Sequence, residues 1–168
     1  MERRKSWWPA VAAVMAAAAF AEFAMGRSAL CPCGRVALWH GAVRSPENSQ
    51  QLTDWYSFSH VIHGMLLYGA AWFALRRAPL AARMFTAVLV EAAWEVLENS
   101  PVVIDRYRAV TIAWGYAGDS VLNSMADIGC MMIGFVLARK LPIWATITLA
   151  LAFELLTSWA IRAWQAGA

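Results

Sequence analysis

The segment FSHVIHGMLLYGAAWFAL, residues 58–75, decides the fold that we expect for this chain. Most of it is apolar, and its length approaches the roughly 20 residues that a helix needs to cross a bilayer. It opens, however, with His60 and His63, which stand three positions apart and therefore share one face of a helix. The segment thus predicts a transmembrane helix with two imidazole groups near one end.

The composition of the whole chain also favours a membrane protein. Of its 168 residues, 61% are hydrophobic and only 15% are charged, so the chain cannot cover itself with a polar surface. No linker or repeat divides it, and we expect a single all-α domain over residues 1–168. The net charge of +3 comes without a nucleic-acid-binding motif, so no nucleic-acid partner is expected.

Five stretches are expected to form a polytopic helical bundle in the membrane. They cover about residues 7–25, 58–75, 84–98, 120–138 and 141–164. The third is short and carries three glutamates, but without it the two neighbouring loops would fall on inconsistent sides. Two outer loops are expected, at about residues 26–57 and 99–118.

The basic residues predict the orientation of this bundle. They cluster at Arg3, Arg4 and Lys5, at Arg76, Arg77 and Arg83, and at Arg139 and Lys140. All three clusters fall on one side if the N-terminus is cytoplasmic, as the positive-inside rule requires. The first span has some features of a cleavable signal peptide, but we expect it to be retained because its apolar stretch continues beyond residues 19–21.

Acidic residues recur at one depth of the predicted bundle, in its outer half. They are Glu22, then Glu91, Glu95 and Glu98 on one helical face, then Asp119 and Asp127 in a stripe with Asn123, and finally Glu154. Carboxylates in hydrocarbon are costly, so these groups must be protonated, paired or bound to a cation. One interpretation is that they only hold the helices together through hydrogen bonds. We favour a functional site, because ionisable groups converge from several spans.

Imidazoles combined with carboxylates suit Zn²⁺, Fe²⁺ or Mn²⁺. We therefore predict a divalent metal ion bound by His60, His63, Glu95 and Asp127. Catalytic carboxylates are predicted at Glu91, Glu95, Asp119 and Asp127, where one could take a proton from metal-bound water. Substrate contacts are predicted at Asn123, Arg106 and Arg108, although the two arginines could instead neutralise Glu98 and Asp105.

The first outer loop contains a second group of residues that could bind a metal ion or react. Cys31 and Cys33 flank a proline in the segment CPC. They could form a thiol pair for Cu⁺ or for disulfide exchange, or they could be two ordinary loop cysteines, since a bond between residues so close would be strained. Further along, Ser45–Asp54 could fold over the site, and Asp54 or Ser57 could cap the second helix.

A family resemblance is carried by several motifs between residues 30 and 157. The segments LCPCGRVALWHG, SPENSQQLTDWYSFSHVIHG, EAAWEVLENSP, RYRAVTIAWGYAGDSVLNSMAD and ARKLPIWATITLALAFELLT resemble the uncharacterised bacterial membrane family UPF0314, or DUF2585. This resemblance implies a multi-pass protein of the bacterial inner membrane with no established activity. A looser similarity to VanZ-like proteins, at His60, His63, Glu95, Asp119 and Asp127, suggests a lipid-linked or cell-envelope substrate.

Three functions remain open from the sequence. The first is a metal-dependent hydrolase or transferase that acts on a lipid-like or envelope substrate. The second is a non-enzymatic protein that handles a metal ion or a proton. The third is an accessory subunit of a membrane complex. The expected partners are the bilayer and a lipid-like substrate or other membrane proteins.

Overall fold

The computed structural model of the chain describes residues 7–110 and 116–165. Within these residues the chain forms α-helices and no β-strand, which confirms the all-α prediction. The helices are α1 (Trp8–Ala24), α2 (Ser57–Ala74), α3 (Leu80–Glu98), α4 (Pro101–Val110), α5 (Val121–Lys140) and α6 (Ile143–Gln165). The basic residues Arg3, Arg4 and Lys5, on which part of the orientation depends, lie outside the described residues.

Each of the five predicted spans corresponds to a helix, within about four residues at either end. By length and composition alone, two helical stretches are able to cross a membrane, Val121–Lys140 and Ile143–Ala163, while α1 is apolar but shorter. Core helices of soluble proteins and signal sequences can have the same length and composition, so these two helices only weakly indicate membrane spans. The number of spans and the side of the N-terminus stay predictions.

The expectation that residues 99–118 form a loop is wrong for its first half, which folds as α4. Pro101 begins this helix, at a position where its missing N–H is not needed, and the Ser100 hydroxyl accepts a hydrogen bond from the Val103 amide at 3.4 Å. With ten residues and several charges, α4 is too short and too polar to be recognised as a span.

Helices α2 and α5 run parallel and form the centre of the bundle. A Cβ atom on Gly64 would collide with the backbone of Met131, and one on Gly134 would collide with the backbone of Val61. The two glycines therefore allow the helix backbones to approach closely, as small residues do at helix interfaces in membranes. Helices α1 and α3 pack on one side of this pair and α6 on the other. The core is formed by fully buried side chains such as Val88, Ile128, Met131 and Phe135.

The loop before α2 closes one end of the bundle by bonding to the start of α5. The amides of Ser120, Val121 and Leu122 donate to loop carbonyls at 2.9–3.1 Å. These amides would otherwise have no partner, because the first N–H groups of a helix lack one within it. Just before α5, the Ser120 hydroxyl accepts from the Asn123 amide at 3.1 Å and caps the helix. These hydrogen bonds attach the loop over the end of the bundle at which α2 and α5 begin.

The opposite end carries basic side chains. Arg83 donates from Nε to the carbonyl of Leu75 at 3.0 Å and from Nη2 to that of Arg76 at 2.7 Å, so it satisfies carbonyl groups of the turn that follows α2. Because α2 and α5 are parallel, Arg139 and Lys140 at the end of α5 lie at this same end. The bundle therefore has one end with basic residues and one end covered by the loop.

Candidate functional site

His60 is the centre of a buried polar cluster between α2, α3 and α5. Its Nδ1 atom lies 2.7 Å from Oε1 of Glu91 and 3.2 Å from Oε1 of Glu95, both on α3. Its Nε2 atom lies 3.8 Å from Oδ2 of Asp127 on α5. All four side chains are buried. One imidazole on α2 is therefore surrounded by three carboxyl groups from two other helices.

His63 lies one helical turn further along α2, at the accessible side of the cluster. Its Nδ1 atom is 3.1 Å from Oε1 of Glu91, the same oxygen that contacts His60. Its side chain is 34% exposed, and its ring packs edge-on against Trp94 with 6.0 Å between the centroids. His63 and Trp94 therefore border the side from which a small molecule could reach the cluster.

Glu95 is the least satisfied member of the cluster. The residue is only 1% exposed, yet among the described residues neither carboxyl oxygen has a hydrogen-bond donor. Nδ1 of His60 lies 3.2 Å from Oε1 of Glu95, but it lies closer to Oε1 of Glu91. A buried carboxyl group without a donor is costly, because it loses its hydration without replacement. Glu95 is thus the member of the cluster whose carboxyl oxygens lack a hydrogen-bond donor in the described part of the chain.

Asp127 is held by residues at the start of α2. The Ser57 hydroxyl donates to Oδ1 of Asp127 at 2.7 Å, and the Asp54 amide donates to the same hydroxyl at 3.2 Å. Oδ2 of Asp127 remains directed at His60. Asp54 itself accepts from the amides of Ser49 and Tyr56, both at 2.8 Å. Burial raises the pKa of Asp54, and these hydrogen bonds oppose the rise.

The donor atoms of the cluster form two overlapping groups that could hold a metal ion. In each group the atoms lie within 4.8 Å of one another, and both groups contain His60. One group is completed by His63 and Glu91, the other by Glu95 and Asp127. All four predicted ligands thus lie in the cluster, but His63 is grouped with Glu91 and not with Glu95 and Asp127. Nitrogen and carboxylate donors of this kind suit Zn²⁺, Fe²⁺ or Mn²⁺.

Asp119 lies outside both groups, in a neighbouring polar network. Its carboxyl oxygens accept from the Tyr116 hydroxyl at 2.8 Å and from Asn99 Nδ2 at 3.0 Å. Burial, together with the nearby Glu98, raises the pKa of Asp119 to about 6, although these two hydrogen bonds oppose the rise. The predicted stripe from Asp119 to Asp127 does not form on one helix, because α5 begins only at Val121.

The three residues predicted to bind a substrate lie apart from His60. Asn123 donates from Nδ2 to the carbonyl of Gln51 at 2.9 Å, so it anchors the covering loop. Arg106 and Arg108 are exposed on α4, and Nε of Arg108 donates to the carbonyl of Tyr116. Their predicted contact with a substrate stays a prediction. Of the three other acids, Glu22 is fully buried beside Ser124, Glu98 is half-buried at the end of α3, and Glu154 is exposed on α6 and does not join the cluster.

Two polar residues of this region were not predicted from the sequence as parts of the site. Ser57, which was considered only as a helix cap, bonds directly to Asp127. Asn99 is fully buried and links α3 to the start of α5, because it donates to Asp119 and Ser124 and accepts from the Asp119 amide at 2.6 Å. The only available signal for Asn99 was its place after Glu95 and Glu98 at the end of an otherwise apolar segment.

The two loop cysteines are bonded to each other. Cys31 and Cys33 form a disulfide, with 5.1 Å between their Cα atoms. Of the alternatives that the sequence left open for these two cysteines, the structure shows a bonded pair, and the distance between their Cα atoms lies in the usual range for a disulfide. Cys130 on α5 is a free, half-buried thiol.

Comparisons with known proteins give a consistent family and no activity. The family described as "Protein of unknown function (DUF2585)" matches residues 22–166. A UPF0314 protein of Novosphingobium aromaticivorans is 61% identical over 143 residues, which are 82% of this chain and 72% of that protein. A UPF0314 protein of Sphingopyxis alaskensis is 52% identical, over 95% of this chain and 84% of its own length. No solved structure gives a significant match.

Proposed function

We propose that this chain, which belongs to the DUF2585 (UPF0314) family of uncharacterised proteins, binds a divalent metal ion at the His60 cluster within a membrane. The ion would serve the hydrolysis of, or a group transfer to, a lipid-like substrate. The ligands in this proposal are His60, Glu95 and Asp127, which form one of the two overlapping groups of donor atoms. Zn²⁺, Fe²⁺ and Mn²⁺ are the candidate ions.

The observation that carries the proposal is the unsatisfied carboxyl group of Glu95. If the cluster only held the helices together, each buried polar group would be expected to have a hydrogen-bond partner. His60, Glu91 and Asp127 fit that description, but Glu95 does not. A cation beside Glu95 would replace the lost hydration of both oxygens, so this carboxyl group favours metal binding over a purely structural role.

The geometry of His60 supports the same choice of ligands. A carboxylate can only accept, so the short contact to Glu91 places the imidazole proton on Nδ1. In the neutral ring that a metal ligand requires, Nε2 then has the free electron pair, and it faces Asp127. Histidine ligands of metal ions commonly donate their other N–H to a carboxylate, which fixes the ring and its tautomer. Glu91 would have this supporting role.

Residues at the accessible side of the cluster supply what the reaction would need besides the ion. A bound divalent ion would lower the pKa of a water molecule so that hydroxide forms near neutral pH. His63 lies against Glu91 and is partly exposed, so this pair is placed to accept the proton from that water. Trp94 borders the same side and offers an apolar surface to a lipid chain.

A membrane location is supported by the outer surface of α6. Large apolar side chains are exposed along this helix, namely Ile143, Trp144, Ile147, Leu151, Leu155 and Trp159. A surface of this kind is stable in contact with lipid and unfavourable in water.

The basic residues at one end of the bundle favour the cytoplasm for that end, so the cluster would open toward the periplasm. Reporter fusions test this orientation: a fusion at Pro46 should report the periplasm and one at Pro79 the cytoplasm. If both fusions reported the same side, the proposed orientation would be wrong.

Metal analysis of the purified protein tests the proposal directly. The protein, extracted in mild detergent without added metal, should contain about one equivalent of Zn, Fe or Mn, and a chelator should remove it and lower the melting temperature. A metal-free protein whose stability does not respond to chelator or to added metal would overturn the proposal. That result would favour the accessory-subunit interpretation. Turnover on lipid-linked substrates would then separate an enzyme from a protein that only stores or passes on the ion.

A further inference from the structure

The disulfide between Cys31 and Cys33 lies in the covering loop, away from the His60 cluster. Cys31 is only 5% exposed, whereas Cys33 is exposed to solvent. The loop end of the bundle is the end that we assign to the oxidising side of the membrane, where disulfides persist. The bond therefore presents one sulfur atom to a partner and shields the other.

This disulfide contributes little to holding the fold together. It closes a ring of only three residues, and the loss of entropy that a cross-link imposes on the unfolded chain is small for so short a ring. It also joins no two helices, since both cysteines belong to the same turn of the loop. A structural role therefore explains the bond poorly.

We propose that the Cys31–Cys33 disulfide is a thiol–disulfide exchange site that accepts electrons from a protein dithiol. Attack is expected at the exposed sulfur of Cys33, so Cys31 would be the leaving group. The Cys33 amide lies 3.2 Å from the Cys31 sulfur and donates to it. A backbone N–H in this position stabilises the thiolate that forms when the bond breaks.

The exposed sulfur is also held in place by the loop. Gln51 donates from Nε2 to the Cys33 sulfur at 3.3 Å and to Oε2 of Glu47 at 2.9 Å. Its Oε1 accepts from the Ala37 amide at 2.7 Å. Gln51 is 1% exposed, so its amide group is a fixed donor. The disulfide is thus positioned by a buried side chain from the segment that leads to α2.

The exchange balances without any further reactant. A thiolate of the partner attacks the Cys33 sulfur, the Cys31–Cys33 bond breaks, and a mixed disulfide forms while Cys31 leaves as a thiolate that takes up a proton. The second thiol of the partner then attacks the mixed disulfide and releases Cys33 as a thiol. Two electrons pass from the partner to this chain, and the partner ends as a disulfide.

The test uses the full chain in detergent with Cys130→Ser, so that any thiol detected comes from the loop. Reduced thioredoxin is the dithiol probe, and a thioredoxin that lacks its second active-site cysteine traps the mixed disulfide. We expect reduction of the native protein to expose two thiols, and the trapped adduct to form on Cys33 at least about tenfold more than on Cys31. Reduction that occurs only after denaturation, or an adduct mainly on Cys31, would overturn the proposal.

A second measurement separates exchange from a structural role. The double variant Cys31→Ser/Cys33→Ser should fold and should melt less than about 6 °C below the parent, as expected for so short a ring. A variant that fails to fold, or that loses much more stability, would show that the bond serves the fold and would contradict the proposal.

Discussion

Nδ1 of His60 on α2 lies 2.7 Å from Oε1 of Glu91 on α3, and both side chains are buried. This contact fixes the ring of His60 and directs its other nitrogen toward Asp127 on α5. It also joins two helices that have further polar contacts beside it, from His63 to Glu91 and from His60 to Glu95. The pair thus orients the proposed ligand His60 within the cluster.

Loss of a proposed ligand should release the metal ion. His60→Ala and Glu95→Gln should each lower the metal content of the purified protein by at least about tenfold, because only three protein ligands are available. Glu154→Gln is the matched control, since Glu154 is exposed on α6 and accepts a hydrogen bond from the Ser158 hydroxyl, away from the cluster. Metal analysis and a melting curve are measured on each variant. Full metal content in Glu95→Gln would exclude Glu95 as a ligand.

Glu91→Gln should weaken metal binding without abolishing it. Glu91 supports the ring of His60 but is not one of the three proposed ligands, and removal of such a supporting carboxylate typically costs about 10–100-fold in affinity. Competition with a chelator of known affinity measures the change. If Glu91→Gln removed the ion as fully as His60→Ala, the group His60, His63 and Glu91 would be the better assignment.

The close approach of α2 and α5 should not tolerate a side chain at its centre. Gly134→Ala should lower the free energy of unfolding by about 1–3 kcal/mol or more, because the new methyl group would meet the backbone of Val61. Gly129→Ala is the control on the same helix, since a Cβ there meets no atom within 4 Å, and it should be neutral or slightly stabilising. Melting curves in one detergent compare the two. Equal losses would mean that the glycines matter for helix propensity and not for packing.

Protonation of Asp119 should make the protein more stable at acidic pH. Its pKa rises from the ordinary 3.8 to about 6 in the folded protein, chiefly through burial. The contribution of Asp119 to the free energy of unfolding is therefore fully present below pH 4. It is lost as the pH rises through about 6, and it totals about 3 kcal/mol. Other acids surround this carboxyl group and add to its pH dependence, namely Glu22, Asp54, Glu95, Glu98 and Asp127.

The variant Asp119→Asn isolates that contribution. Its melting temperature should fall less between pH 4 and about pH 6.5 than that of the wild type, because the amide does not titrate. The carboxamide can still accept one hydrogen bond from Asn99 or Tyr116, so the variant keeps part of the network. Parallel melting curves across this pH range would rule out Asp119 as the titrating group.

The sequence by itself determined the fold class, the family and the places of the long helices. The apolar segments form helices of 17–23 residues, and their length and apolar composition can be read directly from the sequence. The sequence also placed the histidines and most of the acids at the covered end, because depth along a helix follows directly from position. It did not reveal α4, because ten residues with several charges are too few and too polar to be recognised as a span.

Only the tertiary structure decided which of these polar residues meet. His60 contacts Glu91, Glu95 and Asp127, whereas Asp119 turns to Asn99 and Tyr116. Spacing along one helix defines a face, but it contains no information about the rotation and axial offset of the neighbouring helix. Those two quantities are set by the packing of α2 on α5 through Gly64 and Gly134, and by the loop that bonds to the start of α5. The cluster therefore follows from contacts between residues distant in sequence, which no local pattern records.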